Sequence, residues 1–192
     1  CNMFKHVARL VRQEDLSHEE FVKYWQNTHA EIATRIEGVK RYQQIHAENP
    51  ASAPCDGLAE LYFETFDELV AAVGSEGTRD FHPELEQAAR ARDDLDNFLK
   101  IGGRQKIAGR EIVEQSQVET TDGLCKQSTF LIRDDATSYE EFLDRWETDY
   151  VPRLGDVPGV VRHARVLPND PAVSEFDGVS ELYFEPAAGE AT

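Results

Sequence analysis

The sequence is short of basic residues, and this shortage excludes several classes of partner. Lysine and arginine together number 20 against 37 aspartates and glutamates, which gives a formal net charge of −17. Nucleic acids and anionic membrane surfaces attract proteins of the opposite sign, so we expect neither as a partner. Lysine is the scarcer base, with 6 residues against 14 arginines. An acidic, lysine-poor surface fits a halophilic protein that stays dissolved in high salt, and an ordinary acidic cytosolic protein is the alternative.

Cysteine, long apolar runs and cofactor motifs are also lacking. The three cysteines, Cys1, Cys55 and Cys125, have no metal-binding spacing and indicate reduced thiols, so we expect a cytoplasmic protein. No run approaches the roughly 18 apolar residues of a membrane span, and no signal segment opens the sequence. Neither a glycine-rich phosphate loop nor a cluster of metal ligands is present, and we therefore expect no metal and no organic cofactor.

What the chain does contain is a long internal repeat. Residues 4–64 align without a gap on residues 125–185, and 20 of the 61 positions are identical. The agreement is densest in two stretches, 17–25 against 138–146 and 56–64 against 177–185. A repeat of this length indicates the duplication of a folding unit rather than a solenoid. Residues kept in both copies are expected to be scaffold, and residues kept in one copy are candidates for function.

Hydrophobic periodicity predicts the order β-α-β-β-α-β for the first copy, which is the arrangement of ferredoxin-like units. Ser17 and Glu20 form a predicted capping box at the start of the first helix, and Gly38 ends that helix. Asp56 and Gly57 are interpreted as a turn in which the glycine adopts positive φ. The predicted segments are strands at 4–12, 39–47, 57–64 and 104–118, and helices from 18 into 30–35, at 67–73 and at 83–98.

The second copy repeats three strands and one helix and then stops. Its strands are predicted at 125–133, 160–167 and 178–185, and residues 186–192 are too few for another helix and strand. We therefore expect an α+β fold of two ferredoxin-like (βαββαβ) units, residues 1–119 and 124–192, of which the second is incomplete. Each sheet leaves one apolar face bare, so the units should pack sheet to sheet as an intrachain α/β barrel. The open edge of the second unit should be filled by the overlong strand at 104–118 or by a second chain in a homodimer.

Two motifs resemble the EthD family of the dimeric α/β-barrel superfamily. They are Ser17-x-Glu19-Glu20-Phe21-x-x-Tyr24-Trp25-x-x-x-His29-Ala30 with Gly38-Val39-x-Arg41-Tyr42, and Asp56-Gly57-x-Ala59-Glu60-Leu61-x-Phe63. The resemblance covers residues 4–107 well and residues 126–185 more weakly. It implies ferredoxin-like barrels with a pocket between each sheet and its helices or partner sheet. The superfamily includes polyketide cyclases, anthrone oxygenases, muconolactone isomerases and cofactor-free monooxygenases, so the resemblance implies a fold more firmly than a reaction.

Four histidines of the first copy have no histidine counterpart in the second. They are His6, His18, His29 and His46, which align with Gln127, Tyr139, Tyr150 and Leu167. His29 follows Trp25 by one helical turn and matches the histidine of the family motif. Because histidine titrates near neutrality, His29 is a candidate catalytic acid or base. The alternative is a histidine that interacts with the carbonyl end of the helix dipole.

Glu60 is the second catalytic candidate. It alternates with the apolar residues of its strand, so if those pack on the helices, Glu60 and Tyr62 point into the barrel. Loss of solvent there would raise the pKa of Glu60 towards that of a general base. The alternative is a structural ion pair with Arg41 or Arg12, because both arginines and the glutamate recur in the second copy.

The candidate substrate-binding residues are Trp25, Tyr42, His46, Tyr62 and His6. Tyr42 and His46 share one face of the second strand and could form a polar wall, or that strand is simply half exposed. Trp25, which recurs in the second copy, is also a candidate core anchor, and His6 a candidate core histidine. These groups suit a small hydrophobic or aromatic carbonyl compound. The sequence therefore predicts cofactor-free proton transfer or oxygenation in the first copy, with a non-catalytic binding or assembly module as the alternative.

Overall fold

Seven strands form one antiparallel sheet in the order β2-β3-β1-β4-β6-β7-β5. The structure, a computed structural model, describes residues 3–74, 83–100, 102 and 104–187. Residues 1–2 of the first predicted unit and 188–192 of the second lie outside the described residues. The strands are β1 (Phe4–Leu10), β2 (Arg41–His46), β3 (Gly57–Phe63), β4 (Gln105–Ser116), β5 (Cys125–Leu131), β6 (Val160–Pro168) and β7 (Gly178–Phe184). The order and type of the predicted strands are confirmed, and their ends differ from the prediction by a few residues.

Helices pack on one face of this sheet. They are α1 (His18–Tyr24), α2 (Ala30–Ala33), α3 (Phe66–Val73), α4 (Glu86–Asp94), α5 (Tyr139–Arg145) and α6 (Val151–Gly155). The π-helical segment Trp25–His29 joins α1 to α2 without a break, and Trp146–Tyr150 joins α5 to α6 in the same way. In the described part of the second half, no helix corresponds to α3 or α4.

The ends of the first helical run confirm two local predictions and correct a third. The Ser17 hydroxyl accepts a hydrogen bond from the Glu20 amide, and the Glu20 carboxylate accepts one from the Ser17 amide, which completes the capping box. Gly38 follows the helix with φ of 85°. Gly57 does not have positive φ, so the predicted turn role is wrong. A Cβ at Gly57 would lie 2.6 Å from the Trp25 ring, and this close approach is what requires glycine.

The strand register repeats 121 residues later. Phe4 pairs with Phe63 between β1 and β3, and Cys125 pairs with Phe184 between β5 and β7. The long strand β4 pairs with β1 along its first part and with β6 along its second part, so it joins the two halves. The prediction that this strand could fill the open edge of the second unit is wrong, because β6 and β7 separate it from β5. The free edges of the sheet are β2 and β5.

The sheet curls so that its two ends face each other across an inner face. Lys126 of β5 contacts Glu60 of β3, and the Arg9 guanidinium lies 5.4 Å from the centre of the Phe130 ring. An apolar cluster packs between the two ends beside these contacts, formed by Val7, Ile107, Val166, Phe176 and Val179. The opposite face, which the helices cover, is called the helix face below.

Candidate functional site

The two predicted catalytic residues lie on opposite faces of the sheet. On the helix face, His29 lines a pocket together with His6 and Leu61. Glu60 lies on the inner face, where it is fully buried beside Lys5. The alternation of strand side chains therefore orients Glu60 as predicted, but the helical His29 is on the other side of the sheet. A site that uses both residues together does not exist in this geometry.

The helix-face pocket has a volume of about 100 Å³. It lies between the first half of the sheet and the helices α2, α3 and α4. Most of its wall is apolar, and the apolar lining residues are Ala8, Leu10, Ala33, Ile36, Ala59, Leu61, Ala72, Val73, Pro83, Ala88, Ala91 and Leu95. The polar lining residues are His6, His29, Tyr42, Arg92, Arg104 and Lys106. An apolar wall with a few convergent polar groups is the usual form of a small-molecule site.

His29 forms a buried pair with Asp94 of α4. The His29 Nδ1 lies 2.8 Å from the Asp94 Oδ2, and His29 is only 6% exposed. Burial lowers the pKa of His29 and outweighs the opposing effect of Asp94, so the imidazole is neutral at neutral pH. An ionised carboxylate can only accept, so the proton of the neutral ring is on Nδ1. The lone pair of Nε2 is therefore available as a base.

Asp94 is itself fixed by two further donors. The Tyr24 hydroxyl donates to Asp94 Oδ1 over 2.7 Å, and the Asn97 side-chain amide donates to the same oxygen over 3.0 Å. Burial alone would raise the pKa of Asp94, but the bonds from Tyr24, Asn97 and His29 outweigh it and lower the pKa. A carboxylate held ionised in this way orients the imidazole, as in other histidine–carboxylate pairs.

Tyr42 is a hydrogen-bond donor directed by its neighbours. Its hydroxyl oxygen accepts a bond from the Trp25 indole over 2.8 Å and another from the Gln44 side-chain amide over 3.0 Å. Burial raises the pKa of Tyr42 to about 12, so the phenol keeps its proton. Among the described residues no acceptor for that proton is found. Tyr42 lines the pocket, and its O–H group can donate to a ligand oxygen.

His6 contributes a second neutral imidazole to the pocket. It is 2% exposed, and its Nδ1 has no hydrogen-bond partner within the described part of the chain. Burial, followed by the charges of Arg104 and Lys106, holds the pKa of His6 well below the ordinary value. An unsatisfied buried nitrogen is costly in a packed core, which makes His6 a group that a ligand or a water molecule can satisfy.

The other predicted ligand residues lie outside this pocket. Trp25 is fully buried and reaches the site only through its bond to Tyr42. The ring of His46 packs 4.8 Å from that of Trp25, and its Nε2 lies 3.1 Å from the Gln44 side-chain oxygen. His46 lines a different space, an open cleft of about 880 Å³ between the free edges β2 and β5. Tyr62 is on the inner face with Glu60.

Glu60 belongs to a buried cluster of charges on the inner face. Lys5 lies 3.2 Å from Glu60 and 2.7 Å from Glu181, and both of these carboxylates also contact Lys126. The side chains of Lys5, Glu60 and Glu181 are completely buried. The Tyr62 hydroxyl donates to Glu60 over 3.1 Å, and burial raises the pKa of Tyr62. The expected ion pair at Glu60 is therefore present with different partners.

Arg12 and Arg41, the two partners predicted for Glu60, bind other carboxylates. Arg12 binds Asp56, and Arg41 lies 2.7 Å from Asp122. Lys5 and Lys126 would have been better candidates for the partners of Glu60, because lysine recurs at this position in both copies of the repeat. Burial would raise the pKa of Glu181, but Lys126 and Lys5 outweigh it and lower that pKa.

Sequence reasoning missed Asp94, the partner of His29, and the three basic residues that line the pocket, Arg92, Arg104 and Lys106. All four lie in the part of the first half that the repeat does not reach, so no comparison of copies draws attention to them. No group of three or more histidine, cysteine or acidic side chains could hold a metal ion in the described ranges. None of the helices described is both long and apolar enough to cross a membrane.

Comparison with known proteins agrees with this α+β architecture. Residues 13–99 match the sequence model of the EthD domain, a segment that includes His29, Tyr42, Glu60 and Asp94. No curated protein matches the chain. A proposed monooxygenase from Lactobacillus acidophilus NCFM has a similar fold, with a TM-score of 0.51 and 13% identity, and the match covers 95% of this chain and 76% of that one.

Two other solved structures match about the length of one half of the chain. An EthD family protein from Bacillus halodurans C-125 is 18% identical over 56% of this chain and 96% of its own, with a TM-score of 0.44. A DABB family protein with a ferredoxin-like fold from Mesorhizobium loti MAFF303099 is 17% identical over 56% and 95%, with a TM-score of 0.41. The chain is an α+β protein with an EthD domain match in its first half.

Proposed function

We propose that the chain consists of two EthD-like units, residues 1–119 and 124–192, packed sheet to sheet as an intrachain α/β barrel. The repeated strand register supports this arrangement, as does a buried charge cluster that takes one lysine and one glutamate from corresponding positions of each half. The free edge of β5 is the proposed site of self-association as a homodimer. The acidic composition supports a cytoplasmic, salt-tolerant protein.

We propose that the helix-face pocket of the first unit binds a small hydrophobic carbonyl compound and catalyses proton transfer. The observation that carries this proposal is the His29–Asp94 pair in the pocket that Tyr42 also lines, with no partner of His29 Nε2 among the described residues. His29 Nε2 takes a proton from the carbon next to the carbonyl group, the C–H electron pair forms a carbon–carbon double bond, and the π pair of the carbonyl moves to its oxygen. The Tyr42 O–H group stabilises the resulting enolate. Return of the proton to another carbon, or exchange with solvent, completes the turnover.

Asp94 rather than Glu60 is the proposed partner of the base. Asp94 bonds directly to His29, whereas both oxygens of Glu60 contact lysines or Tyr62 on the opposite face. Glu60 is therefore proposed to be a structural residue that holds the inner face together. The predicted roles of His6 and Tyr42 in ligand binding are retained, and Trp25 is proposed to act through Tyr42.

Hydrogen–deuterium exchange on carbonyl compounds tests this function without knowledge of the natural substrate. A panel of small ketones is incubated with the protein in D₂O, and loss of the proton signals next to the carbonyl is followed by NMR. We expect exchange with the wild-type protein, loss of about 100-fold or more in His29→Ala, and a smaller loss in Asp94→Asn. Tyr150→Ala, at the exposed equivalent position of the second half, is the control and should exchange normally. Unchanged exchange in His29→Ala would overturn the proposal.

Cofactor-free oxygenation is a second candidate outcome of the same first step. The L. acidophilus relative in fold is described as a proposed monooxygenase, and an enolate formed by His29 could react with dioxygen. An oxygen electrode separates the two outcomes, because oxygenation consumes dioxygen together with the ketone and simple exchange does not. If neither exchange nor oxygen uptake depends on His29, the non-catalytic binding module becomes the better account, and the small volume of the pocket already favours it.

A further inference from the structure

The charged side chains that line the helix-face pocket are all basic, in a protein that is otherwise strongly acidic. They are Arg92, Arg104 and Lys106, and among the described residues no carboxylate lines the pocket. Arg92 is already paired with Asp93 over 2.6 Å, and the Lys106 ammonium group donates to the Val73 carbonyl. The chain as a whole carries 37 acidic residues against 20 basic ones, so a random sample of its side chains would have the opposite sign. The sign of the pocket is therefore a property of this site and not of the composition.

Arg104 is the basic side chain of the pocket on which the inference depends. Its guanidinium is half buried, and within the described part of the chain it has neither an ion pair nor a hydrogen bond. Burial lowers the pKa of Arg104, and Glu175 is the carboxylate whose charge opposes this effect. Glu175 does not line the pocket, and one of its oxygens accepts a bond from the Lys106 backbone amide over 3.0 Å. The five N–H donors of the guanidinium therefore have no acceptor among the described residues that line the pocket.

The neighbouring polar groups do not neutralise Arg104. The two histidines of the pocket are held neutral, because burial lowers the pKa of each and the charge of Arg104 lowers it further. Asp94 does not line the pocket, and its two oxygens already accept hydrogen bonds from His29, Tyr24 and Asn97. No carboxylate of the described lining balances the charge of Arg104, which is the arrangement expected of a site for an anion.

The size of the pocket limits what that anion can be. Its volume of about 100 Å³ is below the roughly 150 Å³ of a cavity that holds benzene. A compact molecule of a few carbon atoms fits, with its charged end at Arg104. A bulky or polycyclic aromatic compound does not fit the pocket in this conformation, which narrows the ligand class expected from the sequence.

We propose that the pocket binds a short keto acid whose carboxylate pairs with Arg104 while its ketone lies between Tyr42 and His29. The placement of the ketone rests on the proposed proton transfer, and the placement of the carboxylate rests on Arg104. Arg104 is thereby the residue that determines specificity for an anion over a neutral ketone.

Binding of pyruvate and of its neutral amide, measured by isothermal titration calorimetry, tests the inference. The wild-type protein should bind the anion at least about tenfold more tightly than the amide, since a hydrogen-bonded charge pair contributes this much or more. Arg104→Gln should lose that preference, and Arg104→Lys should retain part of it. Arg110→Gln, which removes the same charge from an exposed position on the following strand β4, should bind like the wild type. Thermal unfolding of each variant verifies that it is folded.

Equal affinity of the wild type for anion and amide would overturn the inference, as would undiminished binding of the anion to Arg104→Gln or no binding of the anion at millimolar concentration. Deuterium exchange on the same two compounds reports on the proposed function separately. Tight anion binding without His29-dependent exchange would support the anion site and contradict proton transfer. Exchange of neutral ketones without preference for the anion would contradict the anion site and leave proton transfer intact.

Discussion

His29 and Tyr150 occupy the same place in the two halves of the chain, at the last residue of a π-helical segment, yet their surroundings differ. His29 is 6% exposed and bonded to Asp94, whereas Tyr150 is 62% exposed. The strands beneath them pair in the same register, and both halves bury a tryptophan against a strand glycine. The difference comes from α3 and α4, which cover the first half and have no counterpart in the described second half.

This comparison shows that α3 and α4 close the pocket over residues of the repeated segment. Asp94 is in α4, and three of the alanines that line the pocket, Ala72, Ala88 and Ala91, are in α3 and α4. The residues that both copies keep instead build the inner face, where Lys5 and Lys126 hold Glu60 and Glu181. The candidate site therefore combines side chains that only the first copy has with a cover of helices that the repeat does not reach.

The strongest test of the shared scaffold is removal of a lysine from the inner face. Lys5→Ala and Lys126→Ala should each destabilise the protein by about 3–5 kcal/mol, because each leaves two buried carboxylates with a single lysine and one negative charge uncompensated. The measurement is chemical denaturation followed by circular dichroism. The exposed Lys23→Ala is the control and should change stability by less than about 0.5 kcal/mol. A neutral effect at either buried lysine would contradict equal participation of the two halves.

A second test compares equivalent phenylalanines under the two sets of helices. Phe21 is fully buried against Trp25 and Phe98, whereas its counterpart Phe142 is only half buried. Phe21→Ala should cost about 3–5 kcal/mol, and Phe142→Ala clearly less, since fewer packing contacts are lost. Equal losses in denaturation experiments would mean that the second half is covered as completely as the first.

The pH dependence of stability gives a third and smaller effect. The pKa values of His6 and His29 are lowered on folding, so the unfolded chain takes up protons more readily. Their contribution to stability is complete above about pH 6.5 and is lost as the pH falls below that value. We expect the melting temperature to fall between pH 7 and pH 5, and the fall to be shallower in His29→Asn. An identical pH profile in that variant would show that His29 is not held neutral by folding.

The smallest expected effect is at the position equivalent to His29 in the second half. Tyr150→Ala removes an exposed side chain and should leave both stability and deuterium exchange within experimental error of the wild type. His29→Ala, the matched change in the first half, should abolish exchange. Loss of exchange in Tyr150→Ala would indicate that the second half takes part in the chemistry.

The sequence predicted the order of strands well because local signals agree with the repeat. The capping box at Ser17 and the alternation along β3 depend on neighbouring residues only, and both were predicted correctly. Asp94 was missed because its contact with His29 joins residues 65 positions apart on two helices, and no local pattern encodes it. The prediction that Glu60 and His29 act together was wrong. The alternation along a strand shows which residues share a face of the sheet, but it does not show which helix residues lie on that face.

The most direct measurement of the central claim is an NMR titration of the ¹⁵N-labelled chain with pyruvate. If ligand chemistry belongs to the helix face of the first half, the largest shifts will be at His29, Leu61, Ala88 and Ala91, which line the pocket. Amides of the equivalent helix in the second half, Trp146–Tyr150, should not move. Largest shifts in the cleft between β2 and β5, at residues such as Lys126 and Phe130, would contradict the account.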